Sequence, residues 1–295
     1  MLFKKIVFFL FLYSFGTSCF SQAIVSPKDS IRILSWNIQM LPDFYSPFSK
    51  YVRKKQKKRL PEIIKYLNEG AFEIIVLQEV FDLNSIHKLK NQLKEQYPYQ
   101  QLPKKKGLGI KLSNGIMVLS KFPLDYIKHI TFDKTKGNER LAQKGCVLTS
   151  FSWNNKTIYL AGTHLNSLSQ EARRAQYKAI YEEIVSPFAF DTTSFFLAGD
   201  FNTNFNSKYY NEMISTIQLI NPILNEKSPF TYASANSWNA PKYNVWIDFI
   251  LHNQTTNMKV TRQSIIRPAM QLKEKKIDLS DHYGIAITVR FNQGL

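Results

Sequence analysis

Cysteine is nearly absent: the 295 residues hold two, Cys19 and Cys146. Cys19 falls in an N-terminal apolar stretch, so a chain relieved of that stretch keeps Cys146 alone and can form no intramolecular disulfide. Stability must then come from the core, which a chain of this length with 44% hydrophobic residues can build. After the leader no apolar run approaches the about 20 residues needed to cross a bilayer. No GxxxxGK loop opens a helix, which argues against nucleoside triphosphate chemistry, and no GxSxG elbow is present. Repeats and low-complexity linkers are missing too. Acidic residues are the scarcer charge, 22 against 39 basic, for a formal net charge of +17. Such a surface attracts polyanions and anionic membranes.

What is present begins with Lys4 and Lys5, an apolar run from Ile6 to Phe15 and the small, polar segment Gly16 to Gln22. That is the layout of a secretory signal, 1–21, with residues 22–295 as the mature chain and simple secretion as the expected fate. Cleavage before Cys19 would instead leave a lipoprotein anchored through that residue. Losing Lys4 and Lys5 lowers the formal charge from +17 to +15. Much of the excess lies in Lys50, Arg53, Lys54, Lys55, Lys57, Lys58 and Arg59, which read as a solvated helix start or as a landing patch for lipid headgroups or nucleic acid.

Short apolar runs at Ile31–Leu34, Ile74–Leu77, Ile116–Leu119, Val147–Phe151, Thr157–Ala161, Ser194–Ala198, Val245–Leu251 and Ile285–Val289 read as buried strands. Helical patterns occupy Leu60–Leu67, Ser169–Val185 and, more weakly, Ser85–Glu95. Trp153-Asn154-Asn155-Lys156 has the look of a hairpin turn, so part of the sheet is antiparallel. Strands mixed with helices and hairpins predict a layered α/β domain. Lys104–Lys111, Phe132–Arg140 and Pro222–Pro241 read as loops, the last long enough to shape substrate choice.

Six motifs sit at strand ends: Trp36-Asn37, Gln78-Glu79, Thr163-His164-Leu165-Asn166, Asp200-Phe201-Asn202, Trp246-Ile247-Asp248 and Ser280-Asp281-His282. Taken singly, a strand-end Asn or Asp is usually a turn former or cap. If these strands share a sheet, their ends converge and the acids, amides and imidazoles become one site. Glu79 then offers the hard oxygen that Mg²⁺ prefers, in a site open to water and a substrate phosphate. His282 is placed to take a proton from water, with Asp248 to fix its tautomer, because Asp281 should point to the opposite face of an extended segment. Asn37, Asn202 and His164 can donate to phosphate oxygens. His87, His129 and His252 lack such companions.

Ser35-Trp36-Asn37, Leu77-Gln78-Glu79-Val80, Gly162-Thr163-His164-Leu165, Ala198-Gly199-Asp200-Phe201-Asn202, Ile247-Asp248-Phe249-Ile250 and Ser280-Asp281-His282 together resemble the endonuclease/exonuclease/phosphatase superfamily. Within it the chain is most similar to the neutral and bacterial sphingomyelinases, through Gln78–Asp82, Leu112–Ile116, Leu141–Cys146 and Thr163–Asn166. The resemblance implies a DNase I-like four-layer α/β sandwich, two packed mixed β-sheets flanked by helices, as a single domain over 22–295. It implies a secreted, monomeric Mg²⁺-dependent phosphodiesterase acting on sphingomyelin at a phospholipid membrane. Glu79 would be the metal ligand and Asn37 a metal-site or phosphate contact. Asp200 and Asn202 would position phosphate and nucleophile, His164 would contact phosphate, His282 and Asp248 would be the base pair, and Asp281 a site carboxylate. Relatives often carry an aromatic-tipped hairpin before the final Asp-His, whereas Gln254–Asp281 contains no aromatic residue. Trp238, Tyr243 and Trp246 are candidates for substrate docking or for a choline surface, with packing of a long loop as the plainer reading. A secreted nuclease of the same fold is the alternative, its basic charge gripping nucleic acid.

Overall fold

A computed structural model describes residues 30–42, 49–107, 111–133, 139, 141–222, 226–237 and 242–292. The expected leader, Cys19 and Trp238 lie outside these residues. The elements are β1 (Ser30–Met40), α1 (Ser49–Glu69), β2 (Ile74–Val80), α2 (Leu83–Gln92), β3 (Tyr99–Gln101), β4 (Met117–Ser120), β5 (Leu124–Thr131), β6 (Gly145–Trp153), β7 (Lys156–His164), α3 (Gln170–Ile180), β8 (Ser194–Asp200), α4 (Lys208–Ile217), β9 (Asp248–His252), β10 (Met258–Ile266), β11 (Ala269–Leu272), β12 (Lys275–Asp278) and β13 (Gly284–Phe291).

The strands form a six-stranded sheet in the order β10-β13-β1-β2-β4-β3 and a five-stranded sheet in the order β5-β6-β7-β8-β9. Alternation along the strands makes the layers. Ile31 and Ile33 of β1, Ile74 and Val76 of β2 and Val118 of β4 face the other sheet and pack with Leu160, Phe196 and Ile250. Their neighbours Leu34, Trp36, Ile75, Leu77 and Leu119 face the helices and pack with Leu60, Ile63 and Leu67 of α1 and Leu89 of α2. Tyr177, Ile180, Met213 and Ile217 of α3 and α4 cover the outer face of the five-stranded sheet. The result is the expected sandwich, helices, sheet, sheet and helices. Where β7 crosses the other sheet, a Cβ on Gly162 would sit 2.8 Å from Val76 Cγ1 and 2.9 Å from Ile116 Cγ2, so glycine lets the sheets approach there.

The hairpin between β6 and β7 turns through Asn154 (φ 48°) and Asn155 (φ 61°), the pair of left-handed residues that a two-residue turn matched to strand twist requires. The pattern over Ser169–Val185 is an α-helix capped by Ser169, whose side chain accepts from Ala172 N, that widens into a π-helical turn at Tyr181–Val185. The basic run extends α1 back to Ser49. Its residues differ in setting: Lys54, Lys57 and Lys58 are exposed, but Arg59 is buried at 1% exposure. Directly before the final Asp-His, β11 and β12 form a hairpin whose tip carries Lys273 and Glu274 instead of aromatic residues.

Candidate active site

Strand register brings the six motifs to one end of the sandwich. β1 runs parallel to β2 with Asn37 beside Gln78, β7 runs parallel to β8 with His164 beside Asp200, and Asp200 pairs with Asp248 at the start of antiparallel β9. Every one of Asn37, His164, Asp200, Asp248, Asp281 and His282 is buried, and Glu79, His164, Asp200, Asn202, Asp281 and His282 line a cleft of about 440 Å³. Glu79 takes a left-handed conformation (φ 58°), as do Gln39 (φ 50°) and Asn202 (φ 49°). Strain of this kind gathers where a site over-determines the backbone.

His282 Nδ1 lies 2.9 Å from Asp248 Oδ2, which fixes the ring, and its Nε2 lies 3.7 Å from Asp200 Oδ2. Tyr232 packs beside the imidazole with ring centroids 5.1 Å apart, and Trp36 Nε1 donates to the His282 carbonyl at 2.9 Å. Burial opposes a charged imidazole, but the attraction of Asp248 and Asp200 outweighs it and holds the His282 pKa well above 6.5. Asp248 receives backbone N–H donors through neither oxygen: Thr231 Oγ1 accepts from Asp248 N and Ile247 N, and Asp248 Oδ1 has no partner among the described residues.

The second half of the site is rich in oxygen. Asn37 Nδ2 donates to Glu79 Oε1 at 3.2 Å and to Asp200 Oδ2 at 3.1 Å. Asp281 accepts from Gln39 Nε2 at 2.7 Å and from Ser280 Oγ at 3.2 Å. Asp281 and His282 both line the cleft, contrary to the expected opposite faces, because residues 279–282 bend instead of extending. Burial, then repulsion from Asp281, raises the Glu79 pKa, and burial with repulsion from Asp248 pushes Asp200 up to about 7. A donor set of carboxylates held against burial and mutual repulsion suits a hard divalent cation, with Glu79 and Asp281 to hold it and Asn37, which turns its Nδ2 to Glu79 and Asp200, to steady them. Asp200, Asp248 and His282 offer ligand atoms within 4.8 Å of one another and could also take a metal. The His282 nitrogen nearest Asp248 is already engaged there, and the hydrogen-bonded pair is the arrangement of a base with its orienting acid.

His164 was expected to donate to phosphate. Its Nε2 instead faces Lys144 Nζ at 3.0 Å, with Asp200 Oδ2 at 3.5 Å and Glu79 Oε1 at 4.0 Å, and burial followed by Lys144 and His282 holds its pKa well below 6.5. The neutral ring therefore accepts at Nε2 from the ammonium. Lys144, buried and also donating to Glu139 Oε1 (2.5 Å) and Leu165 O (2.8 Å), is a site cation that lies within the Leu141–Cys146 resemblance but carries no motif of its own. Asn202 Nδ2 is likewise spent on Leu165 O at 3.1 Å, bracing the β7 loop, while its N–H donates to Asp200 Oδ1 at 2.9 Å.

The aromatic candidates separate. Trp246 is no docking group: it is buried, stacked 4.6 Å from Phe205 and 5.4 Å from Phe249, and its Nε1 donates to Asp248 O at 2.7 Å. Tyr243 is 62% exposed on the cleft wall, where Leu168 is 66% exposed. Arg59 donates to Ile38 O (3.1 Å), Gln39 O (2.7 Å) and Leu279 O (2.6 Å). No surface reading of the basic run could have placed it there.

The pattern of the Endonuclease/Exonuclease/phosphatase family matches residues 34–282, from the strand before Asn37 to His282 itself. The chain is 24% identical to a sphingomyelinase C of Bacillus cereus over 94% of both chains. It is 26% identical to sphingomyelinase C 2 of Leptospira interrogans over 90% of its own length, spanning 47% of that longer protein. A crystal structure of a beta toxin variant from Staphylococcus aureus with bound magnesium ions shares its fold at a TM-score of 0.72 and 20% identity, covering 88% of this chain and 99% of the other.

Proposed function

The chain belongs to the endonuclease/exonuclease/phosphatase family, and from that premise we propose that it is a secreted, monomeric Mg²⁺-dependent phosphodiesterase that hydrolyses sphingomyelin, or a related phospholipid, to ceramide and phosphocholine. The observation that carries the reading is the His282–Asp248 pair at 2.9 Å, facing Asp200 and the oxygen-rich half of one cleft. The likeness to sphingomyelinases C supports the lipid as substrate.

Held by Glu79 and Asp281 beside Asn37, Mg²⁺ would supply Lewis-acid stabilisation of charge on the leaving oxygen. The chain's own residues do the rest. In its neutral form, which the raised pKa confines to more alkaline solution, His282 takes at Nε2 the proton of the attacking water as the water oxygen bonds to phosphorus and the bond from phosphorus to the ceramide oxygen breaks; the departing alkoxide takes up a proton, so one water is consumed. Asp248 keeps His282 in the needed tautomer and stabilises the imidazolium that forms. The Lys144 ammonium, buried behind His164, and the Asn37 amide, bonded to Glu79 and Asp200, hold the cleft's histidine and carboxylates in place, so that little reorganisation is needed in the transition state. Asp200, between the two histidines, holds Asn37 and balances the charge that His282 acquires.

The test uses the chain from residue 22 with sphingomyelin vesicles. Phosphocholine is released with Mg²⁺ and none with EDTA. Intact vesicles alongside nicked plasmid DNA would overturn the lipid reading in favour of a nuclease, a reading that exposed Lys54, Lys57 and Lys58 would serve.

A further inference from the structure

Gln39 has no place in the chemistry above, yet it bonds to two residues of the cation half, Asn37 and Asp281. It follows Asn37 by two residues at the bulged end of β1, where the register with β2 shifts between Asn37 and Met40. Its backbone is left-handed at φ 50°, a conformation that favours glycine and is uncommon for a residue with a side chain. Something must hold it. Its N–H donates to Asn37 Oδ1 at 3.1 Å, and its carbonyl accepts from Arg59 Nη2 at 2.7 Å. So held, the side chain crosses to the segment before β13 and donates through Nε2 to Asp281 Oδ2 at 2.7 Å, a sequence separation of 242.

Arg59 completes the bracket. It comes from α1, on the far side of the six-stranded sheet from the other sheet, and its guanidinium is buried at 1% exposure. It spans the carbonyls of Ile38 and Gln39 at the end of β1 and of Leu279 at the start of the bend that carries Asp281 and His282. A planar fork of fixed geometry can hold three carbonyls from a strand end and a bend at once, which an ammonium cannot. Its charge also faces Asp281 and Glu79.

We propose that Gln39, braced by Arg59, is a positioning residue that aims the Asp281 carboxylate at the cation held by Glu79 and so sets the affinity of the site for Mg²⁺. The proposal rests on the reading of Glu79 and Asp281, beside Asn37, as a cation site and does not depend on which phosphodiester is cleaved. Groups that hydrogen-bond a metal's carboxylate ligands fix their direction, and removing one typically weakens metal binding about 10- to 100-fold. Without its amide donor, one oxygen of Asp281 is freed to rotate and the neighbouring repulsion with Glu79 is less constrained.

Calorimetric titration of the purified chain with Mg²⁺, without substrate, tests this directly. Gln39→Met keeps length and removes the donor; its Mg²⁺ dissociation constant is expected to rise by at least about 10-fold, at the low end of such effects, while Tm in EDTA stays near wild type. Turnover at saturating Mg²⁺ should largely recover, since the base pair is untouched. Gln39→Glu, which points a third carboxylate at Asp281, is expected to weaken binding further. Arg59→Lys tests the brace: it keeps the charge, loses the fork and should weaken Mg²⁺ binding while lowering Tm in EDTA. Wild-type Mg²⁺ affinity in folded Gln39→Met overturns the role of Gln39 alone. An absence of Mg²⁺ heat in the wild type overturns the cation site and this proposal together, and leaves sphingomyelin cleavage to be decided by the vesicle assay.

Discussion

The two sheets bring unlike halves of the chemistry to the cleft. The six-stranded sheet supplies oxygen: Asn37 and Glu79 at strand ends, and Asp281 held by Gln39 from β1. The five-stranded sheet supplies groups that trade or balance protons: Asp200, Asp248, and His164 against Lys144. His282 belongs by chain to the first sheet and by hydrogen bond to the second. Two hydrogen bonds between these groups therefore cross the seam, His282 to Asp248 at 2.9 Å and Asn37 to Asp200 at 3.1 Å, beside the longer approaches of His282 to Asp200 and His164 to Glu79. A cation bound on one side and a proton moved on the other stay in register only while the sheets do, and the close approach at Gly162 is part of what keeps them so.

The sharpest way to break this division is to remove one half at a time. His282→Ala deletes the base and should cut turnover by at least about 10²-fold, the scale of lost general-base catalysis, while Mg²⁺ heat in calorimetry is retained. Glu79→Gln should do the reverse in binding: Mg²⁺ heat is lost and activity returns only at high Mg²⁺. Near-normal turnover in His282→Ala would take the base role from that residue. Loss of Mg²⁺ binding in the same variant would show that the halves are one site, with the metal on Asp200, Asp248 and His282.

A smaller effect probes the proton half alone. Buried Asp200 is pushed up to about 7, first by burial and then by Asp248. Its folded pKa thus lies above its unfolded value of 3.8, so between those values the folded state binds more protons and stability falls as pH rises. Metal-free Asp200→Asn should then melt at a higher temperature than metal-free wild type at pH 8, with the gap closing as pH falls below the unfolded value of 3.8, where the wild-type carboxyl is protonated in both states. A stable, inactive variant is the expected outcome of relieving strain at a functional site. A lower Tm for Asp200→Asn at pH 8 would mean that the carboxylate's bonds to Asn37 and Asn202 outweigh its burial.

The strand ends were legible because each is an apolar run broken by an acid, amide or imidazole, a local signal that the register then gathered into one place. The supporting residues were not. Arg59 reads as one more cation in a basic run, because its partners are backbone carbonyls up to 220 residues away and carry no sequence signature. Gln39 is hidden because its acceptor, Asp281, is distant in sequence, and Lys144 because its partners Glu139, His164 and Leu165 are gathered only by the fold. The bend at 279–282 defeated the alternation argument for Asp281, since side chains alternate only along extended backbone. In the fold, β5 and β10 escape notice because their half-exposed sequences mix Lys, Asp, Thr and Arg with apolar residues, and α4 because its ten residues include Tyr, Asn, Ile, Ser and Thr, which favour helix only weakly.

The finest comparison is between two neighbouring aromatic residues on one loop. Trp246 stacks in the core against Phe205 and Phe249, and Tyr243, three residues earlier, stands 62% exposed on the cleft wall. Sequence treats them alike; position gives one to the fold and leaves the other for substrate. Tyr243→Ser should accordingly leave Tm unchanged, since exposed substitutions away from special features usually shift stability by less than about 0.5 kcal/mol. If Tyr243 meets the lipid or its headgroup, KM on sphingomyelin vesicles rises several-fold, about the 1 kcal/mol worth of a single cation–π contact at an exposed site, while kcat holds. A soluble chromogenic phosphocholine ester separates the two contacts: if KM rises there too, Tyr243 reads the headgroup, and if it rises only on vesicles, Tyr243 reads the membrane. Unchanged KM on both substrates would leave the docking role to groups other than this ring, and the substrate side of the cleft would then be defined by Leu168 and Tyr232.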